Sequence, residues 1–171
     1  MYTKLNKINE GFTIVETLIV LAIAALIITI VLIAVPDLQR SSRNTNITHD
    51  AQSIASGVQT YEGNNDGSIP TSISPPAADG SVSISGASGA AATAHVQASD
   101  TITPESAKTT ATGSKTVYNT ITVDFGADCP SPDTAVVNGT PMTLTVDNRG
   151  VAILYEIQTS SNTGQLECLQ E

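Results

Sequence analysis

Residues 17–35 read TLIVLAIAALIITIVLIAV, nineteen residues without a charge. At 1.5 Å per residue this stretch makes a helix of about 28 Å, close to the thickness of a bilayer's hydrocarbon core. Outward from it the chain changes character on both sides. Lys4 and Lys7 lie on the N-terminal side, whereas from Asp37 onward the sequence is polar, acidic and rich in Ser, Thr and Ala. The positive-inside bias therefore puts residues 1–11 in the cytoplasm and the bulk of the chain across the membrane. An ordinary cleaved signal fits poorly, because the apolar run exceeds the usual core of about 7–15 residues and no A-x-A site follows it. No Cys precedes Cys129, which excludes a lipoprotein signal.

Composition narrows the function. The chain has 171 residues, 16 acidic against 7 basic, and a formal net charge of −9. A free-standing nucleic-acid binder held by a basic face fits that balance poorly, while adhesion, motility and DNA uptake stay open as roles. Aromatics are 4 % with no Trp, so stacking platforms are scarce. The two His and two Cys are too few for a Cys/His metal cluster, and neither metal nor cofactor is expected. A membrane-tethered enzyme is the weakest reading. His49 falls on a polar helix face, His95 in a low-complexity stretch, and no G-x-S-x-G, HExxH or P-loop occurs.

The residue out of place is Glu16, which follows Ile14-Val15 and opens the apolar run. A carboxylate deep in a membrane helix costs about 2.5–3.5 kcal/mol, less near the helix end, and such groups usually mark a partner. Gly11-Phe12-Thr13-Ile14-Val15-Glu16-Thr17-Leu18-Ile19-Val20, behind a leader with Lys4 and Lys7, resembles the prepilin signal of type IV pilins. That signal combines a short basic leader, a Gly before the cut, a Phe after it, and a Glu four residues on within an apolar helix. The resemblance spans roughly residues 1–65 and implies cleavage between Gly11 and Phe12 by a prepilin peptidase. It further implies methylation of the new amine at Phe12, and pairing of Glu16 with the amine of a neighbouring subunit in a filament. On this reading both groups lack a partner in lipid and find one on assembly. Removing one member of a buried pair costs about 3–5 kcal/mol, which would make Glu16 a selector of register.

Beyond Pro36, Ile47, Ala51, Ile54, Val58 and Tyr61 recur at steps of four and three, one helical face. Thr48, His49, Asp50, Gln52, Ser53 and Gln59 fill the polar face. One helix is predicted from about Phe12 to Tyr61, roughly 75 Å long, bent near Pro36. An apolar stripe of this kind needs a sheet to cover it. Many pilins carry a Pro three residues earlier, where this chain has Ile33. Arg40 and Arg43 are read either as solvated charges or as contacts to acids on a neighbour. Glu62-Gly63-Asn64-Asn65-Asp66-Gly67-Ser68-Ile69-Pro70 ends the helix in a turn, preferred over a calcium loop.

Between Pro70 and Lys115 the sequence is dominated by small residues, with Ile73, Val82, Ile84, Val96 and Ile102 the large apolar exceptions. It is expected to be a surface loop with at most one short strand, Ser81–Ser85. Strand patterns follow at 116–125, Met142–Val146, Val151–Ile157 and Gln165–Leu169, with Ala135–Asn138 as an edge piece. Turns are expected at Asp147-Asn148-Arg149-Gly150 and Ser160–Gly164. Cys129 and Cys168 bracket most of this antiparallel meander. Outside the cytoplasm they should be oxidised, closing a loop of about 40 residues worth roughly 3–4 kcal/mol. Many pilins resemble this chain in having a C-terminal disulfide loop.

The expected fold class is therefore α+β: a long N-terminal helix, half membrane-buried and half amphipathic, packed on a small antiparallel sheet. The segments are 1–11 leader, 12–35 membrane and filament-core helix, 36–62 outer helix, 63–115 surface loop, and 116–171 sheet with the disulfide loop. The expected function is a non-enzymatic structural subunit of a type IV pilus. It would sit in the cytoplasmic membrane before assembly and in an extracellular fibre afterwards. Its expected partners are other pilin subunits, prepilin peptidase, the inner-membrane assembly machinery, and a host or other surface. A minor pilin or a pseudopilin of a secretion or competence system is the alternative.

Overall fold

The computed structural model describes residues 11–106, 110–112, 119–131, 136–137, 140–160 and 163–171. The expectations resting on Lys4, Lys7, Lys115, residues 116–118, Ala135 and Asn138 lie outside them. Among the described residues the backbone forms one helix and ten strands in chain order: α1 Ile14–Asn64, β1 Ser72–Ile73, β2 Ser81–Ser85, β3 Ala92–His95, β4 Thr101–Ser106, β5 Thr110–Thr112, β6 Thr120–Asp128, β7 Val136–Val137, β8 Pro141–Thr143, β9 Thr145–Gln158 and β10 Gly164–Gln170. This is the α+β architecture expected for a pilin. Pro36 lies inside the 51-residue helix and does not end it.

The chain divides into two units, residues 1–39 and 40–171. Within the first, every described side chain from residue 11 to residue 39 is exposed. The apolar residues surround the helix on all sides, so no face is available for a polar partner. Among the described residues α1 is the one helix long and apolar enough to cross a membrane.

In the second unit, α1 from Arg40 to Asn64 buries one stripe. Ile47, Ala51, Ile54, Val58 and Tyr61 are each 4 % exposed or less, as their spacing predicts. Ala55 and Gly57 join them. A Cβ at Gly57 would lie 2.6 Å from Ile84 Cδ1 and 3.1 Å from Ala94 Cβ, so glycine here lets helix and sheet approach. The helix stops where Asp66 (φ 56°) and Gly67 (φ 75°) turn left-handed and the Gly67 amide donates to the Glu62 carbonyl at 2.8 Å.

Residues 70–115 depart from the expected loop. They include a three-stranded antiparallel sheet, β1-β2-β3, with register Ile73↔Ile84 and Val82↔Ala94. Its inward residues Ile73, Val82, Ile84, Ala92 and Ala94 are buried in the same core as the helix stripe. The open edge of β3 is partly satisfied by α1, since the His95 amide donates to Ser53 Oγ at 3.1 Å.

The second sheet has the order β4-β6-β9-β10-β7. It is mixed rather than wholly antiparallel, because β4 runs parallel to β6. The expected turn at Asp147–Gly150 does not reverse the chain. β9 continues through it, and register passes from Phe125↔Val151 to Ala127↔Val146. Four residues of β9 thus stand opposite Gly126, whose φ of 93° suits the bulge. The bulge also switches faces. Ile121, Val123 and Phe125 pack with the helix, whereas Ala127 joins a second cluster with Met142, Leu144, Ala152, Leu154, Leu166 and Cys168. Cys129 and Cys168 are disulfide-bonded with Cα atoms 5.8 Å apart, a covalent tie beside this second cluster.

Candidate functional site

The candidate site is the start of α1. Thr13 precedes the first helical residue, Ile14, and its hydroxyl accepts from the Glu16 amide at 3.2 Å. In return Glu16 Oε2 accepts from the Thr13 amide and from the Thr13 hydroxyl, both at 3.1 Å. Thr13-Ile14-Val15-Glu16 is thus a reciprocal capping box, which satisfies two amides that the first turn would otherwise leave without acceptors. The carboxylate also sits where the helix dipole favours negative charge. The T-x-x-E spacing is readable from the sequence, yet the functional expectation uses Glu16 only as a charge at a set distance from Phe12, not as a helix cap.

This geometry corrects one expectation. Glu16 is not without a partner in the isolated chain, because Thr13 holds it. The cap makes an acid at this depth tolerable, and it leaves the second carboxylate oxygen available for a further donor.

Phe12, Glu16, Thr17, Val20 and Leu21 line one shallow apolar-sided notch along the helix. Phe12 and Glu16 therefore share a side of the chain start. Phe12 is 82 % exposed, and Gly11 has open space where a Cβ would stand. Among the described residues beyond its chain neighbours, none has an atom within 4 Å of that position at Gly11.

A family profile described as the prokaryotic N-terminal methylation motif matches residues 6–32, a span that contains Gly11, Phe12, Glu16 and most of the apolar run. The chain carries a prokaryotic N-terminal methylation motif. Such a signal supports a prepilin-peptidase substrate of the pilin or pseudopilin kind, anchored in the membrane by its apolar helix. No curated protein and no solved structure matches the chain.

Beyond the signal, the second unit has polar ties that the sequence did not reveal. The Asn44 side chain pairs with the backbone of Gln158 in both directions, each hydrogen bond 2.9 Å long. Arg43 Nη2 donates to Gln158 Oε1 at 2.9 Å, so this cation is engaged within its own unit. Asp50, expected on the polar face, is instead 4 % exposed. Glu62 is raised above the usual carboxylate range by burial and by Glu171, with Arg149 opposing. Asp79 is lowered by the Ser81 hydroxyl and amide that donate to it at 2.7 and 2.9 Å.

Proposed function

We propose that the protein is a structural, non-enzymatic subunit of a type IV pilus-type filament. In this reading a prepilin peptidase hydrolyses the Gly11–Phe12 bond, the new amine at Phe12 is methylated, and the subunit enters a helical fibre. The observation that carries the proposal is the methylation signal at residues 6–32, which from Ile14 on lies along the stretch of α1, up to residue 39, where every side chain is exposed. In water each large apolar side chain left uncovered forgoes about 1.5–3 kcal/mol. Lipid covers this surface before assembly, and helices of neighbouring subunits cover it afterwards.

Glu16 then has two roles. Within the chain it caps α1, and between chains its charge attracts the amine of an adjacent Phe12. A subunit out of register would leave that amine in an apolar surrounding without a counter-charge. Cys129 and Cys168 brace the sheet of the exported unit. Assembly machinery in the inner membrane and a surface met by the fibre are the remaining partners of this reading.

The test is N-terminal sequencing with mass spectrometry of fibres sheared from cells that produce the chain. The expected start is Phe12 carrying one added methyl group. A start at Met1, or absence of the chain from any fibre, overturns the proposal.

A further inference from the structure

The edges of the two larger sheets are guarded in different ways. β1 and β7 are two residues long, and β4 carries Pro104 beside Glu105. Short strands, proline and charge each discourage a further strand from pairing there. β3, Ala92-Thr93-Ala94-His95, pairs with β2 on one side only and contains no proline, acid or lysine. This edge needs another cover.

The amides of β3 alternate between its two sides. The Val96 amide donates inward, to the Gly80 carbonyl on the β2 side at 2.9 Å, whereas the His95 amide donates outward, to Ser53 Oγ of α1 at 3.1 Å. By this alternation Thr93 and Gln97 turn to the same side as His95. The Gln97 amide reaches Asp50 Oδ2 at 3.2 Å. Asp50, Ser53, Gly57 and Tyr61 follow one another at steps of three and four, a single row along the helix, and Asn65 continues it just past the end of α1. The row meets the strand in reverse order. Asp50 holds Gln97 and Ser53 holds His95, while a Cβ at Gly57 would lie 3.1 Å from Ala94 Cβ. Tyr61 then donates to the Ser88 carbonyl at 2.9 Å, and Asn65 takes both backbone groups of Ala90, at 2.9 and 3.0 Å.

We propose that this row of α1 stands in for a fourth strand on the sheet β1-β2-β3 and keeps the β3 edge from pairing with the same edge of a second copy. Side-chain oxygens accept from amides that a neighbouring strand would otherwise bond, and the helix behind them excludes that strand. A second copy is the occupant kept out, because an antiparallel edge is its own complement about a twofold axis, with Thr93 opposite Thr93. The guard lies wholly in the second unit and does not depend on the function proposed above.

The test uses the full chain in detergent, with micelles in large excess so that each holds one chain. In the wild type the His95 and Ala90 amides should exchange at least about tenfold more slowly than a free amide, and the chain should sediment as a monomer. Ser53→Ala combined with Asn65→Ala should speed exchange at both amides about tenfold, leave Ala94, which is paired with Val82, protected, and produce a dimer that grows with concentration. Thr93→Pro added to that pair should return the monomer, because proline removes the outward amide in the middle of the edge. Ser53→Thr, which keeps the hydroxyl, should leave exchange at His95 as in the wild type. A double variant that stays monomeric with both amides released overturns the proposal, and so does a dimer that survives Thr93→Pro. Should the double variant fail to fold, the wild type and Ser53→Ala alone decide. Free-amide rates at His95 and Ala90 in the wild type overturn the guard, whereas slow exchange at both, with His95 released by Ser53→Ala, supports it.

Discussion

Thr13 and Glu16 bond to each other in both directions at the start of α1, with the Thr13 amide 3.1 Å from Glu16 Oε2 and the Glu16 amide 3.2 Å from Thr13 Oγ1. Under the proposed function, helix capping and intermolecular charge rest on one side chain, and substitutions can separate them. Glu16→Gln keeps the acceptor oxygen and removes the charge. Helix content in micelles should be unchanged by circular dichroism, while fibre yield falls at least about tenfold, which corresponds to 1.4 kcal/mol per subunit contact. Thr13→Ala removes the cap, costing about 1 kcal/mol, and keeps the charge. Fibres should persist with a frayed first turn. Equal fibre yields from the two variants would show that charge is not what selects subunits.

The two units should respond differently to truncation of apolar side chains. Ile54→Ala, at a site 0 % exposed, should lower stability in micelles by about 2–5 kcal/mol in urea unfolding. Leu18→Ala, at a site 60 % exposed, should leave that stability within about 0.5 kcal/mol and reduce fibre yield instead. Loss of micellar stability in Leu18→Ala would place that residue in a folded core.

Cys129 and Cys168 are 39 residues apart in sequence. On the chain-entropy account their bond stabilises by about 4 kcal/mol. The double Cys→Ser variant should unfold at correspondingly lower urea, and the wild type should show no free thiol until reductant is added.

Tyr61 is 1 % exposed and its hydroxyl donates to the Ser88 carbonyl at 2.9 Å. One turn later, Asn65 Nδ2 donates to the Ala90 carbonyl at 3.0 Å and Oδ1 accepts from the Ala90 amide at 2.9 Å. These ties hold the β2–β3 loop to the end of the helix. Tyr61→Phe should cost about 0.5–1.5 kcal/mol, and Asn65→Ala should raise amide exchange at Ala90 with little change elsewhere.

The helix was legible because Ile47, Ala51, Ile54, Val58 and Tyr61 repeat with the helical period and all but Ala51 are large. Of the strands between residues 72 and 106 only Ser81–Ser85 was legible, and it became β2; the others were not, for a reason visible at Gly57. Where helix and sheet come this close, the inward residues opposite must be small, so Ala92 and Ala94 alternate with Thr93 and His95 in a pattern that resembles low-complexity loop. Asp147–Gly150 has turn chemistry, and the Arg149 amide does donate to Asp147 Oδ1 at 3.0 Å. Whether such residues reverse a strand or bulge from it depends on the partner strand, and Gly126 lies twenty residues away. The burial of Asp50 was hidden for a similar reason. Asp50 has a polar residue's place in the helical repeat, yet it is 4 % exposed and accepts from the Gln97 amide, 47 residues along the chain.

β9 gives Val151 and Ile153 to the helix-side core and Ala152 and Leu154 to the disulfide-side core. Inserting or deleting a single residue within Val151–Leu154 would exchange the two sets beyond that point, presenting each mould with the other's castings. The four-residue bulge stands immediately upstream, where the ladder is already interrupted. Evolution and protein engineers alike therefore have one stretch, Asp147–Gly150, in which to change the length of this strand while both interiors stay matched.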